Sequence, residues 1–192
     1  MLVESVILAL IIGLALKGSL TKLSMIELKL LHLPIAAFLL EFIGGYLLRF
    51  EVKYFISNLN GLTLIIECLV YGLLIYFFYV NRKLPGMSVV MIGAVLNFTV
   101  IIFNLGFMPV DPALGLKYGF NTSLGLLENG RIFAHSMTND ATRLSLLGDH
   151  IIVPPPWPWP KTISVGDVII DIGAIILIIK GMCTGHTNKN SI

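Results

Sequence analysis

Residues 62–80, LTLIIECLVYGLLIYFFYV, form a run of nineteen residues in which Glu67 is the one charged side chain. An apolar run of this length matches the roughly 20 residues that an α-helix needs to cross the hydrocarbon core of a bilayer. Further apolar runs lie at about 2–16, 32–48, 87–105 and 163–179. The pattern predicts an all-α fold, a polytopic integral membrane helix bundle with about five transmembrane helices, forming a single membrane domain over residues 1–192.

The composition supports a membrane protein and excludes several other classes. The chain is 56% hydrophobic and 12% charged, with a mean hydropathy of +0.90, whereas soluble domains carry roughly 25% charged residues. A net charge of +2 without a basic run among aromatics predicts no nucleic-acid partner. Cys68 and Cys183 lie far apart and lack ligand spacing, so no disulfide, metal site or cofactor is predicted.

The distribution of basic residues predicts the orientation in a bacterial cytoplasmic membrane. Most of those in the short loops fall on one side, which we assign to the cytoplasm: Lys17, Lys22, Lys29, Arg82, Lys83, Lys180 and Lys189. The N-terminus is then outside and the C-terminus cytoplasmic. Glu4 stands where a signal peptide would carry positive charge, so the first apolar run is interpreted as a retained helix.

Two segments outside the spans have distinctive patterns. Leu20–Leu31 alternates charged and aliphatic residues at helical spacing, which predicts an amphipathic segment along the headgroups. The long extracytoplasmic loop, about 106–162, contains enough apolar residues to pack as short helices without a sheet of consequence. Its end, residues 154–160, reads PPPWPWP and predicts polyproline II with Trp157 and Trp159 as interfacial anchors.

Several polar residues fall within the apolar runs. Glu41, Glu67 and Asp171 lie near the middle of predicted spans, as does Asn97. A carboxylate at such a position costs roughly 2.5–3.5 kcal/mol on insertion scales, so these side chains should face the bundle interior. They are interpreted either as polar contacts between helices or as a proton, ion or ligand site.

A second polar group is expected at the outer end of the bundle, where three segments should converge. Ser164 and Asp167 are spaced as a capping box for the last helix. Asp149 is expected either to accept backbone N–H groups at that helix start or to face Asp167 across a cavity. The predicted polar cluster consists of Asn104, Gly106, Met108, Pro109, Gly148, Asp149, Ser164, Gly166 and Asp167.

These segments resemble a family of small bacterial membrane proteins, chiefly from Firmicutes, known as a domain of unknown function. Its marks are Asn-Gly-Gly-x-Met-Pro-Val, Leu-Gly-Asp and Ser-x-Gly-Asp segments, which resemble Asn104–Val110, Leu147–Asp149 and Ser164–Asp167 here. This chain has Leu105 where the family usually has its first Gly. The resemblance implies a membrane fold and brings no activity with it.

Three hypotheses for the function follow. The first is a non-catalytic membrane protein, either a subunit of a complex or a binder of a small ligand or partner at its outer face. The second is an intramembrane aspartyl peptidase using Asp149 and Asp167, since the motif order resembles lipoprotein signal peptidase, although Leu146 departs from that pattern. The third is a proton or ion pathway through Glu41, Glu67 and Asp171. The lipid bilayer is the predicted partner, and other membrane subunits are considered as additional partners.

Overall fold

The chain is mostly helical, as predicted. The computed structural model describes residues 2–49, 59–118, 121–129, 132–154 and 160–184. The long helices are α1 (Leu2–Ala15), α3 (His32–Arg49), α4 (Leu59–Val80), α5 (Met87–Phe103) and α8 (Val165–Thr184). The short helices are α2 (Leu20–Ser24), α6 (Pro112–Lys117) and α7 (Asn121–Glu128).

The five long helices pack side by side in the order α1, α8, α5, α4, α3. Helix α8, the last helix of the chain, therefore lies between α1 and α5. Glycines allow its close approach to α5: a Cβ on Gly93 would lie 2.5 Å from the Gly166 carbonyl oxygen, and one on Gly173 would lie 2.7 Å from the Val90 nitrogen. Small residues of this kind are typical of helix contacts where backbones come close together.

The helices differ in whether their length and apolarity suit a membrane span. Among the described residues, one helix meets both conditions, over Gly61–Val80 with a mean hydropathy of 2.1. The apolar helices Leu2–Ala15 and Met87–Phe103 and the His32–Tyr46 part of α3 have at most 17 residues. Helix α8 has 20 residues but includes Asp167, Asp171 and Lys180.

The loop between α5 and α8 contains two small sheets as well as the predicted short helices. Strand β1 (Met108–Val110) pairs in parallel with β2 (His135–Met137), and β3 (Ile151–Val153) pairs antiparallel with β4 (Lys161–Ile163). The prediction of short helices alone was therefore incomplete. Each strand has three residues, which is too short for an alternating pattern to appear in the sequence.

Other predicted segments differ from the structure in extent. Only Leu20–Ser24 is helical within the amphipathic stretch, because the Ser24 hydroxyl bonds the Thr21 carbonyl and the Met25 N–H turns back to Lys22. Helix α8 begins at Val165 and ends at Thr184, rather than at 163 and 179. Residues 155–159 of the proline-rich segment, including Trp157 and Trp159, lie outside the described residues.

The connections fall at two ends of the helix row. At one end, the Asn81 side chain forms 2.9 Å hydrogen bonds with the Lys29 backbone N–H and carbonyl, and Lys22 Nζ donates to the Cys183 carbonyl at 2.9 Å. At the other end, Lys161 of β4 forms a 2.7 Å ion pair with Glu4 of α1. The basic segments near Lys22, Lys29 and Arg82 thus lie at the end opposite the α5–α8 loop.

Candidate functional site

A cavity of about 360 Å³ lies where α3, α4, α5 and α8 meet the strands of the loop. Its lining residues are up to 133 positions apart in the chain, from Pro34 to Asp167. The polar and ionisable residues of its lining are Glu41, Glu67, Tyr71, Asn97, His135, Asp149 and Asp167. The apolar residues are Pro34, Ala37, Phe38, Val70, Leu74, Ile101, Met108 and Ala134.

Asp167 is held by a closed set of hydrogen bonds at the start of α8. Its Oδ2 accepts from the Ser164 N–H at 3.0 Å, and the Ser164 hydroxyl accepts from the Asp167 N–H at 2.9 Å. This reciprocal pair is the geometry of a capping box. The ring is completed by Asn97, which donates to Asp167 Oδ1 and accepts from the Ser164 hydroxyl, both at 2.8 Å. A Cβ on Gly166 would overlap the Asn97 side-chain oxygen.

Asp149 is positioned by its backbone. Its N–H donates to the Pro109 carbonyl at 2.8 Å, and its own carbonyl accepts from the Asp111 N–H at 3.2 Å. The preceding residue, Gly148, lies against the same Pro109 carbonyl, 2.5 Å from where a Cβ would be. Asp149 is thereby held beside β1, with its side chain in the cavity lining.

The Asp149 carboxyl lies among ionisable neighbours. Its Oδ2 is 3.9 Å from His135 Nε2, and its side chain is 11% exposed. Burial raises the pKa of Asp149 to about 6, an effect that His135 and His150 oppose and that Asp167 adds to. The N–H groups of Ser164 and Asp167 are occupied by the capping pair, and Asp149 and Asp167 both line the cavity.

Glu41 and Glu67 form a second acidic pair, across α3 and α4. The two carboxyl groups are close neighbours, and both residues line the cavity. Glu67 is 2% exposed, and its Oε1 has no hydrogen-bond partner among the described residues. One turn further along α4, Tyr71 stacks on Phe98 with ring centroids 5.3 Å apart and also lines the cavity.

Asp171 lies in a different environment from these two glutamates. It is 5% exposed and lies near Ser5 of α1, and its Oδ2 has no hydrogen-bond partner among the described residues. Asp167, four residues earlier, bonds to α5 instead. The three acids expected within the spans thus divide into a cavity pair and a residue on the α1 side of α8.

The remaining members of the predicted polar cluster shape the loop. Asn104 ends α5, donates to the Arg143 carbonyl at 2.8 Å and accepts from the Arg143 N–H at 2.9 Å. Leu105 and Gly106 follow with φ of 57° and 96°, and a Cβ on Gly106 would lie 2.6 Å from the Leu64 nitrogen. Of these residues, Met108 lines the cavity. Asn104 connects the end of α5 to the loop at Arg143.

Sequence reasoning did not single out two polar residues of the cavity lining, Tyr71 and His135. Tyr71 is one of several aromatics in an apolar helix, and His135 is a lone histidine in a loop. Only the pairing of β2 with β1 brings His135 opposite Met108 and near Asp149. Within the described parts of the chain, no three His, Cys, Asp or Glu side chains are arranged to hold a metal ion.

The sequence of residues 25–179 matches the family of unknown function DUF5317. The chain belongs to this family. The matched region contains the four cavity carboxyls and leaves out α1 with Glu4 and Ser5. The predicted membership of a family of unknown function is confirmed, while the motif set and the Firmicutes range stay predictions.

One relative of this DUF5317 chain is an uncharacterized protein from Thermotoga maritima, 36% identical over 107 residues. The match covers 56% of this chain and 58% of the relative, so it spans just over half the length of that protein. No solved structure matches the chain.

Proposed function

We propose that this DUF5317 protein is a polytopic membrane protein that binds a small molecule in the acidic cavity at the outer end of its helix bundle. One observation carries the proposal. Four carboxyl groups from α3, α4, the loop and α8 line a single cavity of about 360 Å³. This volume lies within the range of small-molecule sites, which are mostly apolar with a few convergent polar groups.

Exposed apolar side chains support the five-helix membrane arrangement. Ile35 and Phe42 of α3 are 55% and 63% exposed, and α1, α4 and α5 also present aliphatic residues outward. Contiguous apolar surfaces of this kind are rare on water-soluble monomers. The 17 residues of α5 span about 26 Å at 1.5 Å per residue, and small mismatches with the bilayer are absorbed by local thinning or by flanking residues.

The two ends of the bundle support the orientation. The end with Lys22, Lys29 and Arg82 takes the cytoplasmic side under the positive-inside rule. The loop, the cavity and the Glu4–Lys161 ion pair then lie on the outer side. A ligand would reach the cavity from outside the cell or from the outer leaflet.

Filling the cavity tests the binding proposal. Leu74 lines the cavity, whereas Leu69 on the same helix does not and is 51% exposed on the periphery of the helix bundle. Leu74→Trp should remove small molecules that remain bound to wild-type protein in native mass spectrometry, and Leu69→Trp should retain them. Identical spectra for the two variants would refute a ligand in this cavity.

A second candidate is an aspartyl hydrolase, favoured by the unequal surroundings of Asp149 and Asp167. The pKa of Asp149 is raised to about 6 by burial, whereas both Asp167 oxygens accept hydrogen bonds from protein donors. Two carboxyls in different environments can divide the roles of acid and base. The test is cleavage of fluorogenic peptides by the wild-type protein in nanodiscs. Activity that is lost in both Asp149→Asn and Asp167→Asn would favour a hydrolase over a protein that only binds its ligand.

The proton or ion pathway is less well supported. It requires Glu41, Glu67 and Asp171 to form a connected line, but Asp171 lies near Ser5 of α1, whereas the two glutamates line the cavity. Proton flux in sealed vesicles that is abolished by Asp171→Asn would restore this alternative.

A further inference from the structure

We propose that the cavity recognises an organic ammonium ion, with the charged nitrogen at the Glu41–Glu67 pair and the hydrocarbon body against the apolar wall. This inference rests on the proposed binding function and adds the chemical class of the ligand. Four features of the cavity support it: the charge of its lining, an unpaired hydrogen-bond acceptor, its apolar residues, and the groups that already pair with its two aspartates.

The charge of the lining favours a cation. Glu41, Glu67, Asp149 and Asp167 all contribute carboxyls, and His135 is the one basic side chain among the described lining residues. A carboxylate or phosphate ligand would enter against several acidic groups without an Arg or Lys to pair with. A positive ligand would instead reduce their mutual repulsion.

The buried acceptor marks where the positive group would lie. Glu67 is 2% exposed, and its Oε1 lacks a hydrogen-bond donor among the described residues. Buried polar atoms are nearly always paired in native proteins, so an unpaired one calls for an explanation. An ammonium N–H is a donor that can reach such an oxygen and also compensate its charge.

The two aspartates are less available to a ligand cation than the glutamates. Both oxygens of Asp167 already accept from Asn97 and Ser164, and Asp149 faces His135 at 3.9 Å. One ammonium group, rather than several, therefore matches the acceptors that remain. A metal ion is disfavoured because the described side chains do not form a three-ligand set.

The apolar part of the lining suits a hydrocarbon body. Phe38, Val70 and Leu74 belong to it, together with the ring of Tyr71. Aromatic faces attract cations as well as apolar groups. The volume of about 360 Å³ is at the small end for ligand sites, which suits a compact monoamine.

Three probes that share a phenylethyl group test the assignment: 2-phenylethylammonium, neutral 2-phenylethanol and anionic 3-phenylpropionate. Each is titrated calorimetrically into full-length protein in nanodiscs at pH 7, with empty nanodiscs subtracted to remove lipid partitioning. We expect the ammonium probe to bind at least about tenfold more tightly than the alcohol, and the carboxylate to bind least. Glu67→Gln should remove most of this preference, while Glu27→Gln, an exposed residue at the opposite end, should keep it.

The outcomes separate this inference from the proposed function. Equal affinity for the ammonium and the alcohol would overturn ammonium recognition and leave small-molecule binding intact. No binding of any probe, together with an unoccupied wild-type protein in native mass spectrometry, would overturn both. If Glu67→Gln fails to fold, as judged by gel filtration, Glu41→Gln takes its place, and an undiminished preference for the ammonium in that variant contradicts the proposal.

Discussion

The Asn97 amide of α5 donates a 2.8 Å hydrogen bond to the Asp167 carboxylate in the first turn of α8. The same Asn97 side chain accepts from the Ser164 hydroxyl, so α5 takes part directly in the cap of α8. Asn97 is 3% exposed, and Ser164 is fully buried. This contact joins α5 to α8 at the wall of the cavity.

Removing the Asn97 amide should destabilise the bundle. Asn97→Ala leaves the Ser164 hydroxyl and Asp167 Oδ1 without their partner, and we expect a loss of about 1–3 kcal/mol. Chemical unfolding in mixed micelles measures this loss of unfolding free energy. The control is Thr99→Ala on the same helix, where an exposed hydroxyl bonds to the Val95 carbonyl. Equal stability of the two variants would show that the α5–α8 contact does not depend on this side chain.

Two glycine substitutions should have opposite effects. A Cβ on Gly166 would overlap the Asn97 side chain, whereas one on Gly72 of α4 meets no atom within 4 Å. We expect Gly166→Ala to lower the unfolding midpoint by forcing α5 and α8 apart. Gly72→Ala should be neutral or stabilise by up to about 1 kcal/mol through helix propensity. A destabilised Gly72→Ala beside an unaffected Gly166→Ala would contradict the packing of α5 on α8.

The turn after α5 contains a strained residue that can be relieved. Leu105 has φ of 57°, with its N–H bonded to the Ile102 carbonyl and the Gly106 N–H bonded to the Ile101 carbonyl. This is the Schellman pattern, whose left-handed position favours Gly. Leu105→Gly should stabilise the protein by about 1 kcal/mol. Leu105→Ala retains the backbone strain and should show no comparable gain in thermal unfolding.

Stability should depend on pH through Asp149. Because burial raises its folded-state pKa to about 6 from 3.8, the folded protein binds more protons than the unfolded chain between these values. The contribution of Asp149 to stability is therefore complete below about pH 4 and is lost as pH rises through 6, by at most about 3 kcal/mol. The unfolding free energy of wild type minus that of Asp149→Asn should fall across this window.

The comparison with Asp149→Asn isolates this carboxyl from its ionisable surroundings. His135, His150 and Asp167 face Asp149 and are present in both proteins. A difference curve that is flat from pH 4 to 8 would contradict a raised pKa at Asp149.

Accessibility labelling tests the membrane orientation. Ser88 lies at the end with Arg82, and Asp140 lies in the loop between α5 and α8, both exposed. In a Cys68→Ala, Cys183→Ala background, an impermeant maleimide applied to intact cells should label Asp140→Cys. Ser88→Cys should react only after the membrane is permeabilised. Labelling of both positions in intact cells would refute the proposed topology.

Local patterns in the sequence were sufficient for the helices and for one part of the site. Apolar runs located the five long helices, because burial from water acts on each segment independently of its partners. The Ser164–Asp167 capping pair was also predictable, since its two members are three residues apart and bond within one turn. Asp149 and Asp167 were singled out from short motifs near the outer ends of these segments.

The tertiary structure decided which of these groups meet. Asn97 bonds to Asp167 across 70 residues, and Glu41 reaches Glu67 only because α3 packs on α4. The parallel pairing of β1 with β2 brings His135 toward Asp149, although neither strand is long enough to leave a periodic pattern. A cavity is formed by the packing of several elements at once, and so its charge and its lining depend on contacts that no local pattern encodes.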